Sequence, residues 1–410
     1  MSGDYRTRTL EQHWRSASSQ FPVLLLTGPR QVGKTTVLRH LSDDRRAYVT
    51  LDDPGLRALA RTDPALFLQR FKPPVLIDEV QYAPELFPHI KMLVDRQPAA
   101  GDFWLTGSQQ FRMMQNVAET MAGRVAVVQM LGFSLRERDG RDGAVGPFMP
   151  TPEELTRRSA SGVALDLASV FETIWTGSMP VLATGAVTRP DLYYASYVQT
   201  YLERDVRDLT QVGDLETFLR FLRAAAARTG QVLNLSNLAR AAGVSVPTAR
   251  SWMSILEASY QVLLLRPWHS NLTKRLTRRP VLYFLDTGLC SWLTNWTSPA
   301  TLATGAMSGA IFETWVIGEI LRSWWHRLRE APLWFYRDRD GREIDLLLTM
   351  DQRLHPVEIK LGASPRDTWS RHFRALDSLA LERGPGAIVC LAEHQAPHVR
   401  GVEIVPAGLL

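Results

Sequence analysis

The feature that most constrains this chain is the stretch at residues 28–35, which reads GPRQVGKT. The apolar run before it predicts a buried strand, and the apolar spacing after it predicts a helix. A strand, a glycine-rich loop ending in Gly-Lys-Thr and a helix are together typical of a phosphate-binding loop, or P-loop. The backbone N–H groups of such a loop surround phosphate oxygens at a helix N-terminus, where the helix dipole favours an anion. We therefore expect nine residues to bind nucleotide: Gly28, Pro29, Arg30, Gln31, Val32, Gly33, Lys34, Thr35 and Thr36.

Four residues near this loop carry specific chemical predictions. Lys34 is expected to reach the β- and γ-phosphates as a catalytic cation, and the Thr35 hydroxyl to hold Mg²⁺. Further along, the apolar run at 75–77 predicts a buried strand that ends in Asp78 and Glu79. Asp78 is predicted to help hold Mg²⁺, and Glu79 to orient and deprotonate the attacking water.

Another strand is predicted within residues 102–109, and it ends in small polar residues. If this strand lies beside the first, it places Thr106 or Ser108 near the γ-phosphate, and Ser108 is the predicted nucleotide-binding residue. Arg124 is a candidate catalytic cation for transition-state charge, either within the chain or from a neighbouring subunit. An ordinary surface arginine is the alternative interpretation of Arg124.

Composition limits the class of protein. With 410 residues, 45% hydrophobic and 22% charged, the chain has the composition of a folded protein of two or three domains. A net charge of +5 is compatible with a nucleic-acid or phosphate partner without requiring one. The only cysteines, Cys290 and Cys390, provide neither a disulfide framework nor a zinc set. Without an apolar signal core in residues 1–20 or a run that could span a membrane, we expect a cytoplasmic protein with no membrane partner.

Four motifs, GPRQVGKTT, VLIDEVQ, FWLTGSQQF and MAGRV, resemble those of prokaryotic AAA-type ATPases in the additional-strand, catalytic-glutamate division of P-loop proteins. More narrowly, the chain resembles the group whose ATPase domain precedes a C-terminal domain of uncharacterised function (DUF4143-type). The resemblance implies ATP and Mg²⁺ as cofactors, ATP hydrolysis as the activity, and assembly of several copies. It departs at Gln109 and Gln110, where members of this group usually continue with serines, so the residue that senses the γ-phosphate stays open.

The middle of the chain predicts three helices and a strand, in the order of a winged helix-turn-helix. Its second helix starts after Ser245, a good N-cap, and exposes Thr248, Arg250, Ser251 and Ser254. Two uses stay open for this unit, which are docking between domains and contact with DNA. The basic run at 274–279 is either a solvated loop or a contact to phosphates. By contrast, 136–161 is rich in Gly, Pro and charge and predicts an extended loop or a partly mobile insertion.

The C-terminal part contains a second candidate site. Asp345 on one predicted strand and Glu358-x-Lys360 on the next have the spacing of PD-(D/E)XK nucleases, and Glu313 lies on the helix before them. Asp345 and Glu358 could bind one Mg²⁺, with Lys360 on the same strand face as Glu358 to activate water. Cleavage by this set and its use as a binding platform both stay open.

The predicted fold class is α/β: a doubly wound parallel sheet of the AAA P-loop type, then a winged helix, then a small restriction-endonuclease-like α/β domain. The predicted boundaries are 1–190, 191–270 and 271–410. The expected function is a Mg²⁺-dependent ATPase coupled to DNA or RNA binding or processing through its C-terminal domain. The alternative is a nucleotide-dependent switch that binds a protein partner and cleaves nothing.

Overall fold

A computed structural model describes residues 5–107, 121–141, 145–202, 215–269 and 279–410. The first unit is a parallel five-stranded sheet with the order β2-β3-β4-β1-β5. Strand β4 lies between the P-loop strand β1 and the Asp-Glu strand β3, so this sheet has the additional strand that the resemblance implied. Its strands are β1 Val23–Thr27, β2 Ala47–Thr50, β3 Val75–Asp78, β4 Phe103–Gly107 and β5 Val125–Gln129.

Both faces of the three central strands, β1, β3 and β4, are buried, which is why these strands are continuous apolar runs rather than alternating ones. On β1, Leu24 and Leu26 pack into one apolar cluster, whereas Val23 and Leu25 pack into a second cluster on the other face. The helices of this unit are α1 Leu10–Ser18, α2 Lys34–Leu41, α3 Pro54–Thr62, α4 Pro64–Arg70 and α5 Leu86–Arg96, with a 3₁₀ turn at Val80–Tyr82.

Short helices follow the first sheet: α6 Leu135–Arg138, α7 Pro152–Ser161, α8 Leu167–Thr176, α9 Pro180–Ala183 and α10 Pro190–Tyr197, continued as a π-helix at Val198–Leu202. The extended loop predicted for 136–161 is therefore wrong over α7 and over the last three residues of α6. Pro152 occupies the first turn of that helix, where its missing N–H costs nothing. Glu154 and Arg158, one turn apart and both buried, form an ion pair of 2.9 Å between Oε1 and Nε that stabilises the helix.

The middle unit contains three helices, α11 Leu215–Ala226, α12 Leu235–Ala242 and α13 Val246–Ala258, and a small antiparallel sheet of order β6-β8-β7. Gly243 ends α12 in the left-handed conformation (φ 74°), which a glycine adopts without strain. Ser245 then caps α13 by accepting a hydrogen bond from the Thr248 N–H at 3.2 Å. The strands are β6 Gln231–Val232, β7 Val262–Leu265 and β8 Val281–Phe284.

Helices α14 Thr287–Leu293, α15 Pro299–Thr304 and α16 Ser308–Trp325 lead to the last sheet. Strands β9, β10 and β11 form an antiparallel meander, and β13 pairs parallel with β11 after a 3₁₀ helix at Asp367–Ser378. The order along the sheet is β14-β15-β13-β11-β10-β9, and β12 pairs with β11. The strands are β9 Leu333–Arg337, β10 Glu343–Met350, β11 Arg353–Ile359, β12 Glu382–Arg383, β13 Gly386–Cys390, β14 Ala396–Val399 and β15 Val402–Pro406.

Buried polar contacts join α16 to the first unit. Glu137 bonds the His326 ring, with 3.1 Å between Oε1 and Nδ1, and its Oε1 is 3.2 Å from Arg8 Nε. Glu319 accepts a hydrogen bond from the Leu135 N–H at 2.8 Å. One end of α16 is thus fixed to the first unit, while the other end carries Glu313. Within the described ranges, no helix has both the length and the apolar character needed to cross a membrane.

Candidate functional site

The P-loop follows β1 directly and closes onto its own backbone. Gly28 must be a glycine because a Cβ there would lie 2.0 Å from the Met130 carbonyl oxygen. Gly33 caps α2 in a left-handed conformation (φ 93°). The Lys34 ammonium donates hydrogen bonds to the carbonyls of Pro29 at 2.7 Å and Gly28 at 3.1 Å. The lysine therefore spans the loop in which we expect the phosphates.

Asp78 ends β3 beside the P-loop helix, in a shell of hydroxyl groups. The Thr35 hydroxyl lies 2.9 Å from its Oδ1 and 3.1 Å from its Oδ2. The hydroxyl of Thr106, on β4, also donates to Oδ1, and the hydroxyl of Tyr48, on β2, lies 3.2 Å from Oδ2. A carboxylate beside a threonine hydroxyl is a set of hard oxygen ligands, so Thr35 and Asp78 fit the Mg²⁺ predicted for them.

Tyr48 was not predicted as part of this site. Burial, followed by the charge and hydrogen bond of Asp78, raises the pKa of its hydroxyl, so the group stays protonated and donates to the carboxylate. No sequence motif marks Tyr48. Only the pairing of β2 with β3, which sets Thr50 opposite Asp78, identifies its place.

Glu79 comes directly after β3 with a left-handed backbone (φ 57°), which is uncommon for a residue with a side chain. Its N–H donates to the Thr106 hydroxyl at 3.2 Å, and Gln81 donates to its carboxylate. Such a strained conformation persists only where the surroundings determine it, and it is found most often at functional sites. The strand end thus brings the two predicted acids and the P-loop threonine together. Thr106 contacts Asp78 and the Glu79 backbone.

Arg124 is not brought to this site. It comes immediately before β5, whose other end pairs Gln129 with Thr27 at the P-loop edge. Because the strands are parallel, Arg124 lies at the opposite edge of the sheet, about 16 Å away at 3.3 Å per residue. Its Nε is 2.5 Å from Asp95 Oδ1, and that pairing lowers the pKa of Asp95. This position does not favour the role within the chain, and both roles of Arg124 stay predictions.

The three C-terminal residues meet as the sequence predicted. Lys360 Nζ lies 3.2 Å from Asp345 Oδ2 and 2.7 Å from Glu358 Oε1, so its ammonium sits between the two carboxyl groups. Asp345 also accepts the Ile359 N–H at 2.8 Å, which fixes β10 against β11 at this point. The buried Glu358 Oε2 has no hydrogen-bond partner within the described ranges.

Glu313, on α16, completes the cluster, and Tyr283, on β8, holds it. The Tyr283 hydroxyl is 2.5 Å from Glu313 Oε1. Burial, and then the charge of Asp345, raises the pKa of Glu313 to about 8, and the same two causes raise the pKa of Glu358 to about 8. Partial burial alone would lower the pKa of Lys360, but the two carboxyl groups raise it. The lysine is therefore a firm cation, and burial beside Asp345 holds the pKa of both glutamates above the ordinary range of a carboxyl group.

The C-terminal cluster has one feature that favours a bound metal ion and two that oppose it. The unpartnered Glu358 Oε2 is an oxygen ligand that fits a divalent cation. Against it, Lys360 occupies the space between Asp345 and Glu358. In the described part of the chain, no group of three or more His, Cys, Asp or Glu side chains is arranged to hold a metal ion. The residues fit a cation only if the ammonium moves aside.

Some predicted residues lie outside the described residues: Ser108, Gln109, Gln110 and the basic run from Lys274 to Arg278. Arg279, the last residue of that run, is described and exposed. Among the nine P-loop residues, Gln31 accepts a hydrogen bond from the Tyr193 hydroxyl at 2.7 Å, a contact from α10 that the sequence did not indicate.

Three known domain families match successive parts of the chain. A profile described as an AAA domain matches residues 20–138, and a domain of unknown function (DUF4143) matches residues 308–410. A second domain of unknown function (DUF8612) matches residues 167–300. The uncharacterized proteins Rv2008c of Mycobacterium tuberculosis and Mb2031c of Mycobacterium bovis are each 31% identical to the chain over 396 residues, which is 96% of this chain and 82% of theirs. The chain belongs to this family of AAA-domain proteins.

The AAA domain contains the P-loop, Asp78 and Glu79, and it supports nucleotide binding and ATP hydrolysis by this chain. Solved structures with some likeness include the Walker-type ATPase PABY2304 of Pyrococcus abyssi, at 15% identity, 69% and 94% coverage and a TM-score of 0.41. The RuvB Holliday junction branch migration motor of Thermotoga maritima has 16% identity, 62% and 87% coverage and a TM-score of 0.30. TM-scores this low add nothing to the assignment of the first unit as an AAA domain. That assignment rests on the family match and on the strand order.

Proposed function

We propose that this chain is a Mg²⁺-dependent ATPase that controls a second, metal-dependent site for nucleic acid in its C-terminal part. The observation that carries the ATPase half is the contact of the Thr35 hydroxyl with Asp78, next to Glu79 and the P-loop. The observation that carries the second half is the meeting of Asp345, Glu358 and Lys360.

In the ATPase step, the chain's own residues supply binding, orientation and a base. Backbone N–H groups of the P-loop bind the phosphates, and Lys34 turns from the loop carbonyls to the β- and γ-phosphates. Mg²⁺ held at Thr35 and Asp78 would neutralise phosphate charge when bound. Glu79 takes a proton from the attacking water, whose oxygen bonds to the γ-phosphorus while the bond to the bridging oxygen breaks. ADP and inorganic phosphate leave.

In the C-terminal part, a helix, a three-stranded meander, a helical segment and a strand parallel to the third follow one another. This order and the Asp, Glu-x-Lys set support the PD-(D/E)XK interpretation. A divalent cation at Asp345 and Glu358 would polarise a phosphodiester when bound. Lys360, held protonated, donates to the phosphate, and a water oxygen bonds to phosphorus. One ester P–O bond breaks, and the leaving oxygen takes the proton that the water gives up.

The middle unit supports a winged-helix interpretation. Three helices, a short strand between the first two of them and a hairpin that pairs with that strand are the parts this motif requires. The same unit touches both sites. The hydroxyls of Tyr260, just before β7, and Thr27, just before the P-loop, are 2.7 Å apart, and Tyr283 reaches Glu313. We therefore place it as the physical link between nucleotide and carboxylate cluster.

Two further proposals concern partners. ATP binding by several copies would let Arg124 of one copy reach the nucleotide of the next, which requires its release from Asp95. The second candidate function is the nucleotide-dependent switch that binds a protein partner. It is favoured by one observation, namely that Lys360 fills the position between the carboxyl groups. In that case the cluster is a structural ion pair.

The test compares wild type with Glu79→Gln and Asp345→Asn in two assays, ATP hydrolysis and Mn²⁺-dependent cleavage of DNA and RNA. Glu79→Gln should keep ATP bound and lose turnover by at least about 100-fold. Asp345→Asn should keep ATP hydrolysis and lose cleavage. Asp340→Asn, an exposed aspartate on the same hairpin, is the matched control and should keep both. Retained turnover in Glu79→Gln would contradict the ATPase roles, and ATPase without cleavage in wild type would leave the switch.

A further inference from the structure

Tyr260 lies in the turn between α13 and β7 and combines a strained backbone with a buried side chain. Its backbone is left-handed (φ 58°), which is rare for a bulky residue and costs free energy. The residue is only 3% exposed, and its ring packs edge-on against Trp325, with 6.1 Å between the ring centroids. The contacts of the Tyr260 side chain must therefore offset the cost of this backbone conformation.

The Tyr260 hydroxyl contacts the residue that precedes the P-loop. Its oxygen lies 2.7 Å from the Thr27 hydroxyl oxygen, although the two residues are 233 positions apart in the chain. Because Thr27 donates its own proton to the Val128 carbonyl oxygen at 3.1 Å, Tyr260 is the donor in this pair. Burial raises the pKa of Tyr260 to about 12, so the hydroxyl keeps its proton. Tyr260 thus holds the end of β1 from outside the first sheet.

This contact is one residue away from the loop in which we expect the phosphates. Gly28 follows Thr27, and its carbonyl oxygen accepts a hydrogen bond from the Lys34 ammonium at 3.1 Å. A planar peptide bond joins Thr27 to Gly28, so a shift of the Thr27 backbone also moves the start of the P-loop. The position of the loop therefore depends on the contact with Tyr260.

The residue after Tyr260 reaches the P-loop by a second path. Gln261 is buried, and its Nε2 donates to the Tyr197 hydroxyl on α10 at 3.3 Å. One turn earlier on that helix, the Tyr193 ring stacks on the Tyr197 ring, with centroids 6.1 Å apart. The Tyr193 hydroxyl in turn donates to Gln31, inside the P-loop, at 2.7 Å. The turn before β7 thus supports the P-loop at two points.

We propose that Tyr260 is a positioning residue for ATP, which holds the P-loop in its binding conformation through the Thr27 hydroxyl. The inference rests on the proposed ATPase site and names the part of the middle unit that controls it. A loop that already has its bound conformation needs no ordering when nucleotide binds, whereas a loop that has it only part of the time binds more weakly in proportion. Once ATP is bound, the loop is in place and the reacting groups are unchanged. Loss of the hydroxyl should therefore weaken ATP binding and leave kcat nearly unchanged.

The same coupling must act in the opposite direction. If the Tyr260 hydroxyl strengthens ATP binding, bound ATP strengthens the hydroxyl contact by the same factor. The Gln261 N–H, next to Tyr260, donates to the Leu256 carbonyl oxygen at 2.9 Å, so its hydrogen exchange reports on the stability of this turn. A tyrosine with a structural role alone would not make this exchange depend on nucleotide.

The experiment measures the Kd of a fluorescent, non-hydrolysable ATP analogue and the KM and kcat for ATP, all with the full chain. Tyr260→Phe removes the donor and keeps the ring, and Thr27→Val tests the same contact from the other side. The double variant removes both hydroxyls, whereas Thr27→Ser keeps the hydroxyl at position 27. Tyr336→Phe, at a buried tyrosine on β9, is the matched control. Amide hydrogen exchange at Gln261 is followed with and without the analogue.

We expect Tyr260→Phe and Thr27→Val each to raise Kd and KM about fivefold, which is the usual effect of one hydrogen bond, with kcat within about twofold of wild type. The double variant should match either single variant, because both remove one interaction. Thr27→Ser and Tyr336→Phe should match wild type. The analogue should slow exchange at Gln261 about fivefold in wild type and leave it unchanged in Tyr260→Phe.

Wild-type affinity in Tyr260→Phe would overturn this inference, and so would an equal loss of affinity in Tyr336→Phe. Effects that multiply in the double variant would overturn it too, because the two hydroxyls would then act independently. An equal response of Gln261 exchange to nucleotide in wild type and Tyr260→Phe would have the same consequence. In each of these cases wild type still binds ATP, and the proposed ATPase stands. No ATP binding by wild type would overturn the proposed function itself.

Discussion

The chain has two sites at which a lysine stands beside acids at strand ends, and the lysine is used differently in each. At the ATP site, Lys34 is bound by loop carbonyls, and Asp78 is surrounded by hydroxyl groups. At the C-terminal site, Lys360 is bound by the acids themselves. The first arrangement leaves a carboxylate free to receive a cation, whereas the second already contains one.

The ATP site is thus arranged to receive a metal ion, whereas Lys360 already occupies the position between the C-terminal acids. Mg²⁺ can bind beside the hydroxyl groups around Asp78, or replace some of them as partners of the carboxylate. The free-energy cost is small because hydroxyl and carboxylate oxygens are all suitable ligands for Mg²⁺. The ammonium of Lys360 and a divalent cation compete for the same position. We therefore expect ATP-site variants to alter activity with little change in stability, and C-terminal variants to alter stability as well.

The largest expected effect is the loss of nucleotide binding in Lys34→Ala. Removal of the P-loop lysine takes away the charge that meets the β- and γ-phosphates. ATP affinity, measured by calorimetry, should fall by at least about 100-fold, and hydrolysis should fall below detection. Lys72→Ala, an exposed lysine before β3, is the control and should match wild type. Normal ATP affinity in Lys34→Ala would contradict the role of the loop.

The second effect is a difference in stability between Lys360→Met and Lys34→Met. The first leaves two carboxyl groups without their counter-ion in a partly buried site, which should cost about 1–2 kcal/mol after allowance for exposure. The second removes hydrogen bonds to two neutral loop carbonyls and leaves no unpaired charge, so it should cost less than the first. Thermal unfolding without nucleotide measures both. Equal midpoints for the two variants would contradict the comparison.

The smallest effect concerns pH and the junction between α16 and the ATPase unit. Burial outweighs Glu137 and lowers the pKa of His326, so the folded state binds fewer protons there than the unfolded state below about pH 6.5. Burial alone would raise the pKa of Glu137, but Arg8 and His326 lower it. Stability should therefore fall as the pH drops below about 6.5, and further below the usual glutamate range.

His326→Gln should flatten the upper part of this pH dependence, because glutamine can accept the Leu131 N–H without a titratable ring. His394→Gln, an exposed histidine, serves as the control and should keep the wild-type profile. Midpoints measured between about pH 5 and 8 give the profile. An unchanged profile in His326→Gln would show that other groups carry the dependence.

The sequence predicted what depends on local order. The P-loop with Asp78 and Glu79 at a strand end is a matter of adjacent residues, and so is the alternation that puts Glu358 and Lys360 on one face. Tyr48 and Tyr283 were missed because each reaches its acid through sheet pairings or packing between distant segments. The distance of Arg124 from the P-loop could have been predicted, since a residue before a parallel strand lies at the far edge of the sheet from the P-loop.

The fold was less predictable where composition misled. The Gly- and Pro-rich stretch at 136–161 contains α7, because Pro152 suits a first turn and the Glu154–Arg158 pair is buried by the C-terminal part. The contact of Lys360 with both C-terminal acids could be seen only in the structure. A shared strand face does not determine which groups the ammonium contacts. The predicted domain boundaries stay predictions.

The most direct test of the comparison is a count of Mn²⁺ sites by the loss of the free-ion paramagnetic signal, with and without a non-hydrolysable ATP analogue. We expect two classes of Mn²⁺ site in wild type. One requires the nucleotide and is lost in Asp78→Asn, and the other is independent of nucleotide and is lost in Asp345→Asn. If Asp345→Asn binds as many Mn²⁺ ions as wild type, the proposal is contradicted. That result would mean that no metal ion binds at Asp345 and Glu358, and that Lys360 is their permanent partner.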